Sequence, residues 1–231
     1  MSPVKRFYGR AEAREEDGAW RVTLDGRAAR TPGRAPLSAS RPLAEAMAAE
    51  WEAQGDTLDR HAMPLTALQS QMLDANEAER EAWRRTVHSY AGTDLLCYRA
   101  DDPALAEKQA AAWQPYLDRV GEAAGGRFAV TDAILAVPQD ASLMDGMARL
   151  VSDLAPGELL AVRVLTEISG SAVLALSVAR GDDPAAAFAA SRLDETHQEE
   201  RWGTDEEAAA RAAGLARDFS VAARYLALSR G

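Results

Sequence analysis

The sequence predicts an α+β protein: a small N-terminal β-meander with helices, followed by a mainly α-helical C-terminal domain around a buried apolar helix. Three observations point there. Trp20-Arg21-Val22-Thr23-Leu24 alternates in polarity and runs into Asp25-Gly26, the strongest short hairpin signal. Helix-start signals recur from Ser40 onward, with Asp102-Pro103 and Asp183-Pro184 each pairing a capping carboxylate with a proline at the first helical position. Leu159 to Ala179 is apolar nearly all round, as expected for a helix buried on every side. The domains these signals imply are 1–92, an α+β unit, and 93–231, a helical unit.

In the first unit, strands are expected near Phe7 to Arg14, over Trp20 to Leu24 and over Arg27 to Thr31. Glu16-Asp17-Gly18 and Asp25-Gly26 turn between them, and Pro32 and Pro36 end the sheet region. Three short strands are marginal alone and must rest on something else. Ser40 caps the next helix, whose Leu43, Ala44, Met47, Ala48 and Trp51 form one stripe, with Trp51 as a packing anchor. Pro64 opens a helix carrying Leu65, Leu68, Met72 and Leu73. The polar run from Asn76 to Arg85 continues helically into Trp83, Val87 and Tyr90. Thr93 to Arg99 is a buried strand or a helix end, which periodicity does not decide.

In the second unit, Leu105, Gln109, Trp113 and Leu117 recur every fourth residue and Gly125-Gly126 ends their helix. Phe128 to Thr131 and Ile134 to Val137 read as two short strands before Pro138. A helix with Leu143, Met147, Leu150, Val151 and Leu154 follows. Ser169-Gly170-Ser171 falls in the middle of the apolar helix, where small residues admit a close neighbour. Arg163 and Glu167 are spaced to pair. The last helix, Asp205 to Leu228, presents Ala208, Ala212, Leu215, Phe219, Ala222 and Leu226 as a packing seam.

Composition narrows the function. A formal charge of −10 argues against a nucleic-acid backbone or an anionic membrane as main partner. The single cysteine, Cys97, excludes an internal disulfide or a multi-cysteine metal site. It lies in an apolar run, the setting of a core residue rather than a nucleophile. No secretory signal or transit peptide is evident, so the chain is expected to start directly with folded domain. Uncharged stretches such as Ile168 to Ala179 are too short for the roughly 20 residues of a membrane span, so no stable membrane insertion is expected. Nucleotide loops and the nucleophile-elbow pattern are absent. His61, His88 and His197 have no histidine or cysteine ligand partner at helical spacing. No catalytic residue, metal or cofactor is expected.

The densest chemistry lies in Leu193 to Glu207. Asp194, Glu195, Glu199, Glu200, Asp205, Glu206 and Glu207 crowd around Gln198 and Trp202. One helix is expected to run from Asp183-Pro184 to Trp202, with Gly203 free to take a positive φ at the corner. Thr204-x-x-Glu207 reads as a capping box for the next helix. Glu195, Gln198 and Trp202, at i, i+3 and i+7, share a face. That face suits a partner chain. Charge-rich faces are usually solvated, however, and local sequence favours a solvated face with Trp202 plugging the corner. A small-molecule enzyme using Asp194, Glu195 and His197 is the alternative, although adjacent carboxylates on a helix diverge and cannot act jointly on one bond.

Several stretches together resemble one family. They are Trp20-x-Val22-x-Leu24-Asp25-Gly26-Arg27, Thr31-Pro32, Pro36-Leu37, Glu50-Trp51-x-x-Gln54-Gly55, Met63-Pro64-Leu65-Thr66 and Thr93-Asp94-Leu95-Leu96-Cys97-Tyr98-Arg99. Gly170-Ser171-x-Val173-Leu174 and Leu193-Asp194-Glu195-x-x-Gln198-x-x-x-Trp202-Gly203-x-Asp205 complete the set. In order and spacing these are similar to the F1 ATP synthase assembly chaperones that act on the alpha subunit. Ser70-Gln71 stands where that family tends to carry Asn-Thr, and Gln114 where it usually has an acid. The resemblance implies a non-enzymatic chaperone that binds the free alpha subunit and prevents its aggregation before alpha/beta assembly. It implies protein-binding residues Glu195, Gln198, Trp202, Asp194 and Asp205, and turns the balance towards a binding face there. Composition favours a bacterial cytoplasmic protein; a eukaryotic one would lie in the mitochondrial matrix.

Overall fold

The computed structural model describes residues 4–133, 135–203 and 205–231. The chain divides into two compact units, Met1–Glu79 with Arg224–Gly231, and Arg80–Ala223. The division falls at Glu79, ahead of the sequence boundary at 92, and the last eight residues return to the first unit.

In the first unit, β1 (Ala11–Glu16), β2 (Ala19–Leu24) and β3 (Arg27–Ala28) form the expected antiparallel meander. Register runs from Ala11 opposite Leu24 to Glu16 opposite Ala19. Both turns have positive φ at their two central residues, Asp17 and Gly18, then Asp25 and Gly26. That is the geometry matching strand twist in two-residue hairpins. The Asp25 carboxylate also accepts the Gly9 and Arg10 amides, which hold it below the usual carboxylate range.

Three details of the sheet differ from expectation. The first strand starts at Ala11, because the Gly9 and Arg10 amides ahead of it bond to the Asp25 carboxylate; residues 4–6 pair separately with 56–58. The return strand stops at Ala28. The sheet does not end at the prolines, because β4 (Ser38–Ala39) comes back to β2 alongside Trp20 and Arg21. Residues 30–36 fold on themselves around Arg34, at φ 72°, and deliver Leu37 to bond both Val22 and Ala29.

Helix α1 (Arg41–Glu52), capped by Ser40, lies against β1 and β2 and buries Leu43, Ala44, Met47 and Ala48. Trp51 meets Tyr8 edge to face. Helix α2 (Pro64–Asp74) has no side-chain cap of its own; the Glu50 carboxylate supplies one, accepting the Leu65 and Thr66 amides at 2.8 Å each. The unit closes on the chain's C-terminus: Tyr225 Oη donates to Gln69 at 2.7 Å, and Gln69 donates to the Ser38 carbonyl at 2.6 Å.

Helix α3 (Glu77–Gly92) begins anew after extended Ala75, with Asn76 and Glu79 capping each other, so the polar run is not continuous with α2. In the second unit, Leu95–Cys97 forms a single 3-10 turn. Cys97 is buried, and burial first, then Asp94, pushes its thiol up to about 12, the state of an inert core residue. Helix α4 (Pro103–Ala124) starts at Asp102 and stops at left-handed Gly125. The two strands expected before Pro138 are absent among the described residues; Ile134 lies outside them. One bridge joins Thr131 to Tyr98, and the Gln139 side chain bonds both backbone groups of Ala129, doing locally what a partner strand would do. Helix α5 (Ala141–Ser152) crosses α4 so closely that a Cβ on Gly146 would stand 1.8 Å from the Ala124 carbonyl oxygen.

The apolar segment is two helices rather than one. Helix α6 (Pro156–Ser169) ends at Gly170, φ 71°, and α7 (Ala172–Ala179) restarts with Ser171 as its cap. Every residue of α7 is buried, against α4, α6 and α8 (Pro184–Ser191). At the amino end of α7 sits Asp94, wholly buried. It accepts Ser171 Oγ at 2.7 Å, the Val173 amide at 3.0 Å and the Leu96 amide at 3.1 Å. Ser171 Oγ in turn accepts the Leu174 amide at 3.0 Å, so its proton is committed to Asp94. Arg163 and Glu167 on α6 pair at 2.7 Å as their spacing predicts. Helix α9 (Leu193–Trp202) and helix α10 (Glu206–Ser229) complete the chain. Phe219 and Ala222 of the expected α10 seam are buried, and Phe219 meets Phe188.

Burial pushes the Asp94 carboxyl up to about 6, against the lowering pull of Ser171, Val173, Leu96 and Ala172. A folded pKa above the unfolded one stabilises the fold at low pH, and that contribution is lost as pH rises through the folded value. Asp94→Asn is expected to destabilise the protein by about 2–3 kcal/mol, because an amide nitrogen then faces backbone donors. Denaturant titrations from about pH 4 to pH 7 should show the stability gap between wild type and variant shrinking as pH rises through about 6. A gap that widens instead would show that the fold prefers the ionised carboxylate.

Candidate protein-binding surface

The acidic stretch singled out in the sequence is the short helix α9, and it is not continuous with α8. Asp183 and Pro184 start α8 as expected, the Asp183 carboxylate accepting the Ala185 and Ala186 amides. Arg192, at φ −108° and ψ 14°, then breaks the chain between the two helices. Helix propensity does not reveal the break, since Ser191 and Arg192 are both tolerated in helix interiors. Gly203 ends α9 with φ 85°. The expected capping residue Thr204 lies outside the described residues. Asp205 serves α10, accepting the Ala208 amide at 3.4 Å and, through its carbonyl, the Ala209 amide at 2.9 Å.

No residue of α9 is buried. Polar clasps to α4 hold it in place. The Gln109 amide nitrogen donates to Asp194 at 2.7 Å while its carbonyl accepts the Ala100 amide at 2.8 Å. Lys108 pairs with Glu200 at 2.8 Å, and Arg201 with Asp102 at 2.7 Å. Trp113, fully buried on the same helix, donates its indole N–H to the Ala190 carbonyl and so ties down α8 as well. Lys108 holds Glu200 below the usual carboxylate range. The Leu105 and Ala104 amides, with Arg201, do the same for Asp102. Both carboxyls therefore stay charged at neutral pH.

Of the five residues proposed from sequence, two are spoken for locally: Asp194 by Gln109, and Asp205 as a helix cap. Glu195 pairs with Arg192 at 2.7 Å but remains partly exposed. Gln198 is exposed, and Trp202 is 83% exposed. Trp202 does not plug the corner; it stands in water, on a helix whose face is solvated as the local reading expects. The structure brings Glu195, Gln198 and Trp202 together on one helix and holds Asp194 beside them.

This arrangement presents a large apolar ring inside an acidic surround, suited to gripping a macromolecule. Asp194, Glu195 and Glu200 each answer to a different partner, Gln109, Arg192 and Lys108. His197 encloses both ring nitrogens without a hydrogen bond among the described residues. Among those residues no group of histidine, cysteine and carboxylates is placed to hold a metal ion. No helix among them is long and apolar enough to cross a membrane. Sequence reasoning missed the clasps. Their one visible trace is Gln109, a polar residue on the apolar stripe of Leu105, Trp113 and Leu117.

A family model described as ATP12 chaperone protein matches residues 5–121. The chain is similar to the crystal structure of Atp12 from Paracoccus denitrificans, at 38% identity over 98% of each chain, with a TM-score of 0.92. It is also similar to an Asp-to-Lys mutant of the Paracoccus protein, at 37% identity over 99% of this chain and 100% of that one, with a TM-score of 0.93. The Atu1473 protein of Agrobacterium tumefaciens is 33% identical over 98% of this chain and 86% of its own, with a TM-score of 0.91.

Replacing Gln109 by Ala orphans the Ala100 amide and frees Asp194, with an expected cost of about 1–3 kcal/mol. Lys108→Ala breaks one solvent-exposed pair and is expected to leave stability nearly unchanged. Urea denaturation measures both. Amide exchange over 193–202 should accelerate in Gln109→Ala; unchanged exchange there would show that α9 does not depend on the clasp.

Proposed function

Given that the chain belongs to the ATP12 chaperone family, we propose that it binds the free alpha subunit of F1 ATP synthase and keeps it from aggregating before alpha/beta assembly. It acts as a non-enzymatic holder of an unassembled subunit, covering a surface that later meets a beta subunit and then handing it over. A role as an ATP synthase assembly chaperone is supported by the family and by structural similarity along the whole chain. We place the action in the bacterial cytoplasm.

The observation that carries the finer reading is Trp202. A tryptophan 83% exposed at the end of a polar helix leaves a large apolar surface in water, and tryptophan is enriched among residues that dominate binding energy. Around it, Glu195 and Gln198 form the rim of the contact. Asp194 and Asp205 contribute charge from positions fixed by Gln109 and by the start of α10. Acidic rim groups speed encounter with a basic client more than they slow its release. Such a grip yields to the correct partner subunit without nucleotide hydrolysis.

Co-purification with the alpha subunit from the source cell tests the reading. Trp202→Ala is expected to weaken capture by about tenfold or more. Glu195→Lys is also expected to weaken it, with helical content by circular dichroism unchanged. If both folded variants capture the subunit as well as wild type, the client does not bind on α9; if wild type captures no F1 subunit, the function is wrong.

A further inference from the structure

A second surface lies within the first unit. Residues 4–6 run antiparallel to 56–58: the Arg6 amide donates to the Asp56 carbonyl and the Leu58 amide to the Val4 carbonyl, each at 2.9 Å. Among the described residues the Lys5 and Phe7 amides make no backbone hydrogen bond, so one edge of this ribbon is open. Beside it is a groove of about 570 Å³, lined chiefly by Phe7, Trp51, Leu58, Met63, Thr66 and Ala67. Phe7 is 67% exposed, and Val4, on the same wall, is 44% exposed.

Two polar atoms in that lining are enclosed and unpartnered among the described residues, Trp51 Nε1 and Thr66 Oγ1. Thr66 is only 8% exposed, so open water does not relieve it. The lining carries two cations, Arg30 and Arg60, against one acid, Asp74, whose carboxylate accepts the Thr31 hydroxyl and the Gly33 amide. On a chain of net charge −10 this is a locally cationic place.

We propose that this groove binds an extended, acidic and apolar peptide segment of a partner protein. The segment adds as a strand along the open Lys5–Phe7 edge, using main-chain hydrogen bonds for affinity and a pocket for selectivity. One apolar side chain enters between Trp51 and Met63. That side chain packs on the Trp51 ring, and flanking carboxylates meet Arg30 and Arg60. The inference rests on the reading of the chain as a chaperone that covers another polypeptide, but it uses no residue of α9.

The test is a fluorescence-anisotropy titration with a labelled, end-blocked heptapeptide, Ser-Asp-Val-Leu-Val-Glu-Ser, backed by the Trp51 indole resonance, which is identified by its loss in Trp51→Phe. Binding should shift that resonance. Ala67→Trp, an exposed helical position whose new ring fills the groove, should weaken binding by about tenfold or more, as loss of a central pocket does. Arg60→Glu should weaken it about threefold to tenfold, more at low salt, since rim charge acts through steering. A peptide with Lys in place of its two acids should bind more weakly still. Equal binding of the Lys peptide, an unmoved Trp51 resonance, or full affinity in Ala67→Trp each overturns the proposal. So does a Trp51 shift produced by decanoate but not by the peptide, which would mark the groove as a site for acyl chains. Glu195→Lys separates this inference from the α9 reading: it should leave peptide affinity unchanged. Peptide failure with Glu195-dependent client capture intact sinks only the groove.

Discussion

The second unit depends on one buried carboxylate. Helix α7 is buried on every side, and the cap at its start, Ser171, is itself held by Asp94. Asp94 lies 77 residues away in sequence and accepts the Ser171 hydroxyl together with the Val173 amide. It thereby meets amino-terminal donors of α7 that would otherwise be orphaned in the core. The same carboxylate caps the 3-10 turn at Leu95–Cys97 through the Leu96 amide. A single side chain thus joins the connection after α3 to the central helix, and the positive end of the α7 dipole partly offsets the cost of burying it. The Gly170 break is the geometric counterpart: the chain must turn there so that the amides of α7 can point at Asp94.

What this core fixes, α4 passes on to the surface. One stripe of α4 carries Leu105, Trp113 and Leu117 into the interior. On the same helix, Lys108, Gln109, Trp113 and Asp102 reach α8 and α9. The two kinds of contact differ in strength. The Trp113 bond is buried, and the Gln109 bond to Asp194 leaves both ends of a buried amide satisfied, so each is costly to break. The Lys108 and Arg201 pairs are exposed and individually weak. Position of α9 is therefore set chiefly by the enclosed hydrogen bond from Gln109, with Trp113 holding α8 beside it, and its charge pattern by groups that water competes for.

How far sequence carries one towards this picture depends on how local the deciding chemistry is. Asp17-Gly18 and Asp25-Gly26 were legible because a positive φ at two adjacent residues is demanded by the turn itself. Ser40, Asp102 and Asp183 were legible as caps for the same reason. The break at Gly170 was not: a glycine between serines is compatible with a helix interior until Asp94 arrives from elsewhere. Nor was β4, two residues long and placed beside β2 only by the fold of residues 30–36. The Glu195, Gln198 and Trp202 face followed from helical spacing. Its tethers did not, because Gln109 and Asp194 are 85 residues apart, and Asp102 and Arg201 are 99 apart.

A helix that buries no residue gains almost nothing from the hydrophobic effect, so its docked state is only modestly favoured over a loosened one. For the client surface proposed on α9, which would take hold of a subunit and later surrender it, this is a useful property. A client that contacts Trp202 supplies the apolar burial that α9 lacks, and so adds stability at the place where it binds. When a competing subunit withdraws the client, what remains is a solvated polar helix with its charges paired, a state that costs little to restore. Tight packing of Trp202 into the domain would remove the grip, and a larger apolar patch would resist release. The single exposed ring on a polar, clasped helix lies between those limits.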